Sequence, residues 1–270
     1  MSRMTVPATE EKSKKNKAVT GRHTARSVAG IAYGSSEHMM LVLDGLNDLY
    51  GYDSSPADIY ATGEPLDGLL LTLLSQNTND RNRDRAYEAL RAEYPSWALV
   101  AALSSAEIAA LIKPAGLGDT KSSRMKAILG IIRRDFGDHS LREMAGWQPD
   151  AVRAYLSNLP GIGPKTVACV MVFDLDMPAF PVDTHVARVS RRVGWVREKE
   201  TPEKIQNFLE TVVPPGRCRG GHLNMIEHGR KQCHSRKPNC GTCGIRTLCK
   251  FYENDRSSGD NVGDAVRNEA

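Results

Sequence analysis

The sequence has no stretch of about 18 uninterrupted apolar residues, so no segment of it is expected to span a membrane. Its first 30 residues contain no apolar core of the kind a secretory signal needs, and Glu10-Glu11 weaken a transit-peptide reading. Strand-like alternation of apolar and polar residues is nearly absent, which points to an all-α chain. There is no long internal repeat and no low-complexity block in the body of the chain. These absences lead to the expectation of a cytoplasmic protein, nucleoid-associated if it binds DNA.

Net charge is also scarce: +4 over 270 residues, and unevenly placed. Residues 1–30 carry seven Lys or Arg against two Glu, and residues 251–270 carry five acids against two Arg, which leaves the body at +2. A body so close to neutral does not identify a nucleic-acid binder, so that inference must come from local clusters. Residues 1–35 read as a basic, disordered extension, either a solvated tail or a DNA-contacting arm. Residues 251–270 read as an acidic tail. At this length, with 40% hydrophobic and 25% charged residues, one large or two ordinary domains can form without disulfides.

From Glu37 onward the pattern is helical. Met40, Leu43, Leu46 and Leu49 recur at near-helical spacing before Gly51. Pro65 opens a second helix in which Leu66, Leu69, Leu70, Leu73 and Leu74 mark a buried face, ending in the polar run 75–80. Further helices are expected at about Asp80–Tyr94, Ser105–Ile112, Lys121–Phe136, Pro149–Leu156, Pro164–Phe173, Thr184–Val193, Thr201–Val212 and Leu223–Cys233. Pro214–Gly221 reads as a loop.

The chain is organised around residues 159–170, Leu-Pro-Gly-Ile-Gly-Pro-Lys-Thr-Val-Ala-Cys-Val. Gly161 and Gly163, in a tight loop between apolar helical segments, let backbone N–H groups point outward, which suits a phosphate oxygen. Lys165 follows the loop directly, and Asp183 stands 18 residues later, a pairing that fits an amine nucleophile with a carboxylate base. The residues alone leave open a phosphate-binding or solvent-facing Lys165, and an Asp183 that simply caps the helix carrying Val186, Val189 and Val193.

Four of the six cysteines, Cys233, Cys240, Cys243 and Cys249, fall within 17 residues. Without an export signal this crowding favours metal binding over disulfides. Only Cys240 and Cys243 form a CxxC pair, and the long first gap suits a loop wrapped round one [4Fe–4S] cluster, zinc being the alternative. Cys169 and Cys218 have no such partners. Arg236 and Lys237, inside the first gap, could meet phosphates or could be a solvated basic loop.

Taken together, residues 159–168, Val182-Asp183-Thr184-His185, His228-Gly229-Arg230 and the four-cysteine loop resemble the endonuclease III family of helix-hairpin-helix DNA glycosylases, over about residues 36–250. The resemblance implies a two-lobed all-α fold, with a six-helix domain at 58–177 holding the hairpin and an iron–sulfur domain joining 36–57 to 178–250. It implies a bifunctional DNA glycosylase and AP lyase of base excision repair that removes oxidised pyrimidines. In it Lys165 forms a Schiff base at C1′, Asp183 is its electrostatic and proton-transfer partner, and β-elimination cuts the strand. It implies a monomer acting on double-stranded DNA that carries damaged bases or abasic sites. The hole left by the flipped nucleotide would be filled from Gln76 or Asn77, from Leu117 on its glycine-flanked loop, and from His185. Where the family has a glutamine this chain has Asn77, with Gln76 one position earlier, so which of the two enters the duplex is open. A monofunctional mismatch or alkyl-base glycosylase, and a non-catalytic DNA-binding or redox-sensing module, are the alternatives; Lys165 argues against the first.

Overall fold

The computed structural model of the chain describes residues 30–54 and 63–255; most of the basic extension, the 57/58 domain boundary and most of the acidic tail lie outside them. Among the described residues the regular structure is helical throughout, with no strand. The described residues from Ile31 onward form one compact unit.

Local signals set most helix ends. Helix α1 (Ser36–Tyr50) begins where the Ser35 hydroxyl accepts from the His38 N–H and stops at Gly51, left-handed at φ 77°. Helix α2 (Pro65–Ser75) has Pro at its first position and buries all five leucines of the expected stripe. Helix α3 (Asp80–Glu93) is capped by Asn79. Helix α4 (Trp97–Ala102), too short to show a period, was not expected; Ser96 caps it. A reciprocal Ser104–Glu107 capping box opens α5 (Ser105–Leu111). There follow α6 (Gly118–Phe136), α7 (Pro149–Ser157), α8 (Pro164–Cys169), α9 (Thr184–Val193), α10 (Pro202–Val212) and α11 (Cys218–Lys231).

Helix α2 is central, packing on α3, α6 and α8, while α1 packs on α11 and on the turn Arg246–Leu248 beside Cys249. His38, fully buried in α1, hydrogen-bonds the Leu248 carbonyl at 2.8 Å, which fastens that turn to the first helix.

Three expectations need correcting. Leu49 is 44% exposed and lies against Gly244 rather than in the core; the buried stripe of α1 is Met39, Val42, Leu43 and Leu46. The loop expected at Pro214–Gly221 ends at Arg217, because Gly220 and Gly221 are helical: a side chain there would collide with Asp53 at one and press on Leu43 and Phe180 at the other. The helix expected at Pro164–Phe173 is α-helical only to Cys169 and continues as a π turn, Val170–Asp174, closed by the Leu175 N–H on the Val170 carbonyl at 3.2 Å. Among the described residues no helix is long and apolar enough to cross a membrane.

Candidate functional site

The hairpin between α7 and α8 uses its two glycines differently. Gly161 has φ 75°, and a Cβ there would run into the Arg124 side chain, so glycine is required. Gly163 is extended (φ −100°) and caps α8, with open space where a side chain would stand. Lys165, the second residue of α8, is half-buried on the wall of an open cleft of about 650 Å³. Asp183 lines the same cleft from the start of α9. Its Oδ1 accepts the N–H groups of His185 (2.9 Å) and Val186 (2.8 Å). Asp183 is therefore a helix cap as well as a cleft carboxylate, and its second oxygen makes no hydrogen bond among the described residues.

Gln76, Asn77 and His185 line this cleft too, whereas Gly161, Gly163, Leu117, Arg236 and Lys237 lie on loops outside it. The Gln76 amide is tied down: its Nε2–H donates to the Gly161 carbonyl (3.1 Å) and its Oε1 accepts from Arg124 (3.3 Å). Asn77 is exposed and its side chain makes no hydrogen bond among the described residues. Leu117 is 55% exposed, so it does not fold back on the core. Among the described residues the non-glycine positions with left-handed backbone are Asn77, Leu117, Asp176 and Lys237. Three of these four lie in loops expected to meet DNA, and such strain concentrates at functional sites.

Buried side chains hold these loops. Lys121, 1% exposed, donates from Nζ to the carbonyls of Leu74 (2.7 Å) and Ala115 (2.9 Å), joining the end of α2 to the Leu117 loop. His185 accepts at Nδ1 from Arg188 (3.0 Å), whose guanidinium also donates to the carbonyls of Cys233 (2.9 Å) and Gly229 (2.8 Å). A side chain at Gly229 would collide with His185, so this glycine lets α11 approach α9.

Deeper in the cleft, burial holds the His222 imidazole down at about 4, the nearby Asp183 carboxylate opposing and the Lys165 ammonium assisting. Its Nδ1–H donates to the Pro181 carbonyl at 2.7 Å. Burial pushes the Cys169 thiol up, while Lys165, one turn earlier, pulls it back by charge and hydrogen bond.

The cysteine loop forms a second centre. Cys233, Cys240, Cys243 and Cys249 all border one small cavity of about 20 Å³, and Cys169 and Cys218 do not. Arg192 donates to Cys233 Sγ (3.2 Å) and to the His234 carbonyl (2.6 Å), and His228 Nε2 stands 3.8 Å from Cys243 Sγ. Burial pushes the Cys243 thiol up to about 11 and raises Cys249 as well, so thiolates here need a compensating cation. Four cysteine sulfurs bordering one cavity, with Arg192 beside one and His228 beside another, have the donor chemistry of an iron–sulfur site without being drawn together into one. Among the described residues no three His, Cys, Asp or Glu side chains converge in the manner of a metal site. Arg236 and Lys237 are exposed on this loop.

The family model described as HhH-GPD superfamily base excision DNA repair protein matches residues 70–215. Endonuclease III of Thermotoga maritima is 33% identical over 189 residues, covering 70% of this chain and 84% of that protein. The chain belongs to the HhH-GPD superfamily. An Arabidopsis thaliana relative whose name places it among DNA glycosylases is 38% identical over 149 residues, or 55% of this chain. The match spans 51% of that relative, so the chain spans about half its length. A solved structure titled as a trapped endonuclease III–DNA covalent intermediate superposes with a TM-score of 0.70 at 23% identity. It covers 82% of this chain and 99% of that one, a likeness of fold.

Within this HhH-GPD chain, sequence reasoning missed four side chains at or behind the cleft: Cys169, Asp174, His222 and Lys121. Cys169 was readable, since it lies four residues beyond Lys165 and therefore on the same helical face. Nothing in the local pattern marks Lys121, one polar residue in the polar run 119–124, or His222, which follows two glycines. Asp174 was hidden by the π turn.

Proposed function

We propose that this protein is a bifunctional DNA glycosylase and AP lyase that removes oxidised pyrimidines from double-stranded DNA, acting as a monomer. The observation that carries the reading is the meeting of Lys165 and Asp183, from the starts of two different helices, on one open cleft. The Lys165 amine, once deprotonated, attacks C1′ of the flipped nucleotide; the C1′–N bond breaks and the base leaves with the bonding pair. Asp183, with one oxygen fixed by the cap and the other unbonded, stabilises the positive charge developing at C1′ and takes the proton from the amine. The sugar ring then opens, the C1′–O4′ bond breaking as O4′ takes a proton, and the resulting imine acidifies C2′; loss of the C2′ proton expels the 3′ phosphate and cuts the strand.

In the same reading Gly161 and Gly163 present backbone N–H groups to phosphate. Asn77, whose side chain is unbonded, enters the duplex in preference to the tied-down Gln76; Leu117 is the wedge, and His185 supports the gap. Arg236 and Lys237 add phosphate contacts from the cysteine loop. Cys233, Cys240, Cys243 and Cys249 would hold one [4Fe–4S] cluster, which supplies a rigid clamp for that loop. Residues 58–177 form the hairpin domain and 36–57 with 178–250 the cluster domain; the packing of α1 on α11 supports that pairing.

Incubation with abasic duplex and borohydride tests this directly. Wild-type protein is expected to form a covalent adduct and Lys165→Ala none. An adduct of normal yield in Lys165→Ala would assign the nucleophile elsewhere, and cleanly bound but never nicked DNA would favour a non-catalytic binding module.

A further inference from the structure

Asp174 closes the π turn after α8, and its carboxyl borders the same cleft as Lys165 and Asp183. In an uninterrupted α-helix, nine residues at about 100° each would place it roughly opposite Lys165. The i→i−5 turn inserts the extra backbone that brings it round, and π turns of this kind occur often at functional sites. A seat is cut for it on the adjoining helix: a Cβ at Gly68 in α2 would overlap the Asp174 carboxyl. The residue is half-buried, and among the described residues its carboxyl makes no hydrogen bond and no ion pair.

The charged and titratable groups around it are Glu64 and Asp67 at the start of α2, Lys165 and Cys169 on α8, and Arg219 and His222 on α11. Arg219 is directed elsewhere, donating to the Phe173 carbonyl at 2.9 Å. Burial, then the charge of Asp67, pushes the Asp174 carboxyl up to about 8; Arg219 pulls against this and Glu64 adds to it. At neutral pH the group is a carboxylic acid, with one O–H donor beside one C=O acceptor.

We infer that Asp174 reads the edge of the base to be excised, donating one hydrogen bond and accepting one, and so selects a base with an adjacent N–H and C=O, as in the lactam of a ring-oxidised or ring-reduced uracil or thymine. This rests on the glycosylase reading above and deepens it. Deprotonation would leave two acceptors facing the base carbonyl, so recognition is lost as pH rises through about 8. An asparagine keeps one donor and one acceptor at that place and cannot titrate.

The test compares wild type, Asp174→Ala and Asp174→Asn on two duplexes, one with dihydrouracil and one with an abasic site. The readouts are base release on the first and borohydride trapping on the second. Asp174→Ala is expected to lower the ratio of base release to trapping at least about tenfold, the loss of one buried hydrogen bond. Asp174→Asn is expected to recover the ratio at pH 7 and, relative to wild type, to gain above pH 8. An unchanged ratio in Asp174→Ala, or a parallel loss on both duplexes, would overturn the inference. Failure of wild type to trap the abasic duplex would instead overturn the lyase reading on which it rests.

Discussion

The cleft and the cysteine loop each gather reactive side chains, by opposite means. The cleft draws Lys165, Asp174, Asp183 and His222 from separate elements, and its members are positioned by backbone: a helix start, a π turn, a cap and a buried carbonyl. The loop draws four cysteines from 17 consecutive residues with little regular backbone, and side chains of α9 and α11, Arg192 and His228, reach in to hold them. A site positioned by backbone tolerates loss of a reactive group; a site that lacks its own secondary structure should not tolerate loss of a ligand.

The sharpest way to break this comparison is through the loop. With the proposed cluster in place, purified protein is expected to show brown thiolate-to-iron absorbance, and Cys243→Ala to abolish it and to lower Tm by at least about 5 °C. Lys165→Ala should leave both nearly unchanged. A Cys243→Ala protein that stays brown and melts with wild type would remove the distinction.

Asp183 sharpens the cleft side. Asp183→Asn keeps an oxygen for the two N–H groups of the cap, so stability should hold while single-turnover base release falls by about 100- to 10,000-fold. Asp183→Ala should lose about 1 kcal/mol of stability in addition, measured by denaturant unfolding. Equal destabilisation by both would mean that the second oxygen also supports the fold.

His222 gives the cleft a pH signature. Its folded value of about 4 lies below the roughly 6.5 of an unfolded histidine. The stability it protects is therefore fully present above about 6.5 and is lost as pH falls from there toward 4, on the order of 3 kcal/mol in all. Urea unfolding between pH 7 and 5 should show this slope, and His222→Asn should flatten it.

Much of this was legible in the sequence because the relevant signals are local. The leucine stripe of α2 and the cap at Asp183 each depend on residues a few positions apart, and each has its expected counterpart in the fold. The cleft interior was not legible. Asp174 reaches it through a π turn that breaks the 3.6-residue period, Lys121 acts on carbonyls from two loops, and Asn77 is told from Gln76 only by the Gly161 carbonyl and the Arg124 side chain. These are tertiary facts with no signature at fixed spacing.

Lys121 yields the smallest of the expected effects. Lys121→Met fills the same volume but leaves the Leu74 and Ala115 carbonyls without their donor, at a cost of about 1–3 kcal/mol. Because those carbonyls lie at the end of α2 just before Gln76 and in the turn before Leu117, binding to abasic duplex should weaken more than trapping slows once DNA is saturating.

In the proposed function Lys165 is the nucleophile, and the cleft presents it to the flipped nucleotide. Borohydride-trapped complex, digested with nuclease and protease, can be mapped by mass spectrometry. The sugar remnant is expected on Lys165 alone; its appearance on any other lysine, or on the N-terminal amine, would contradict the account.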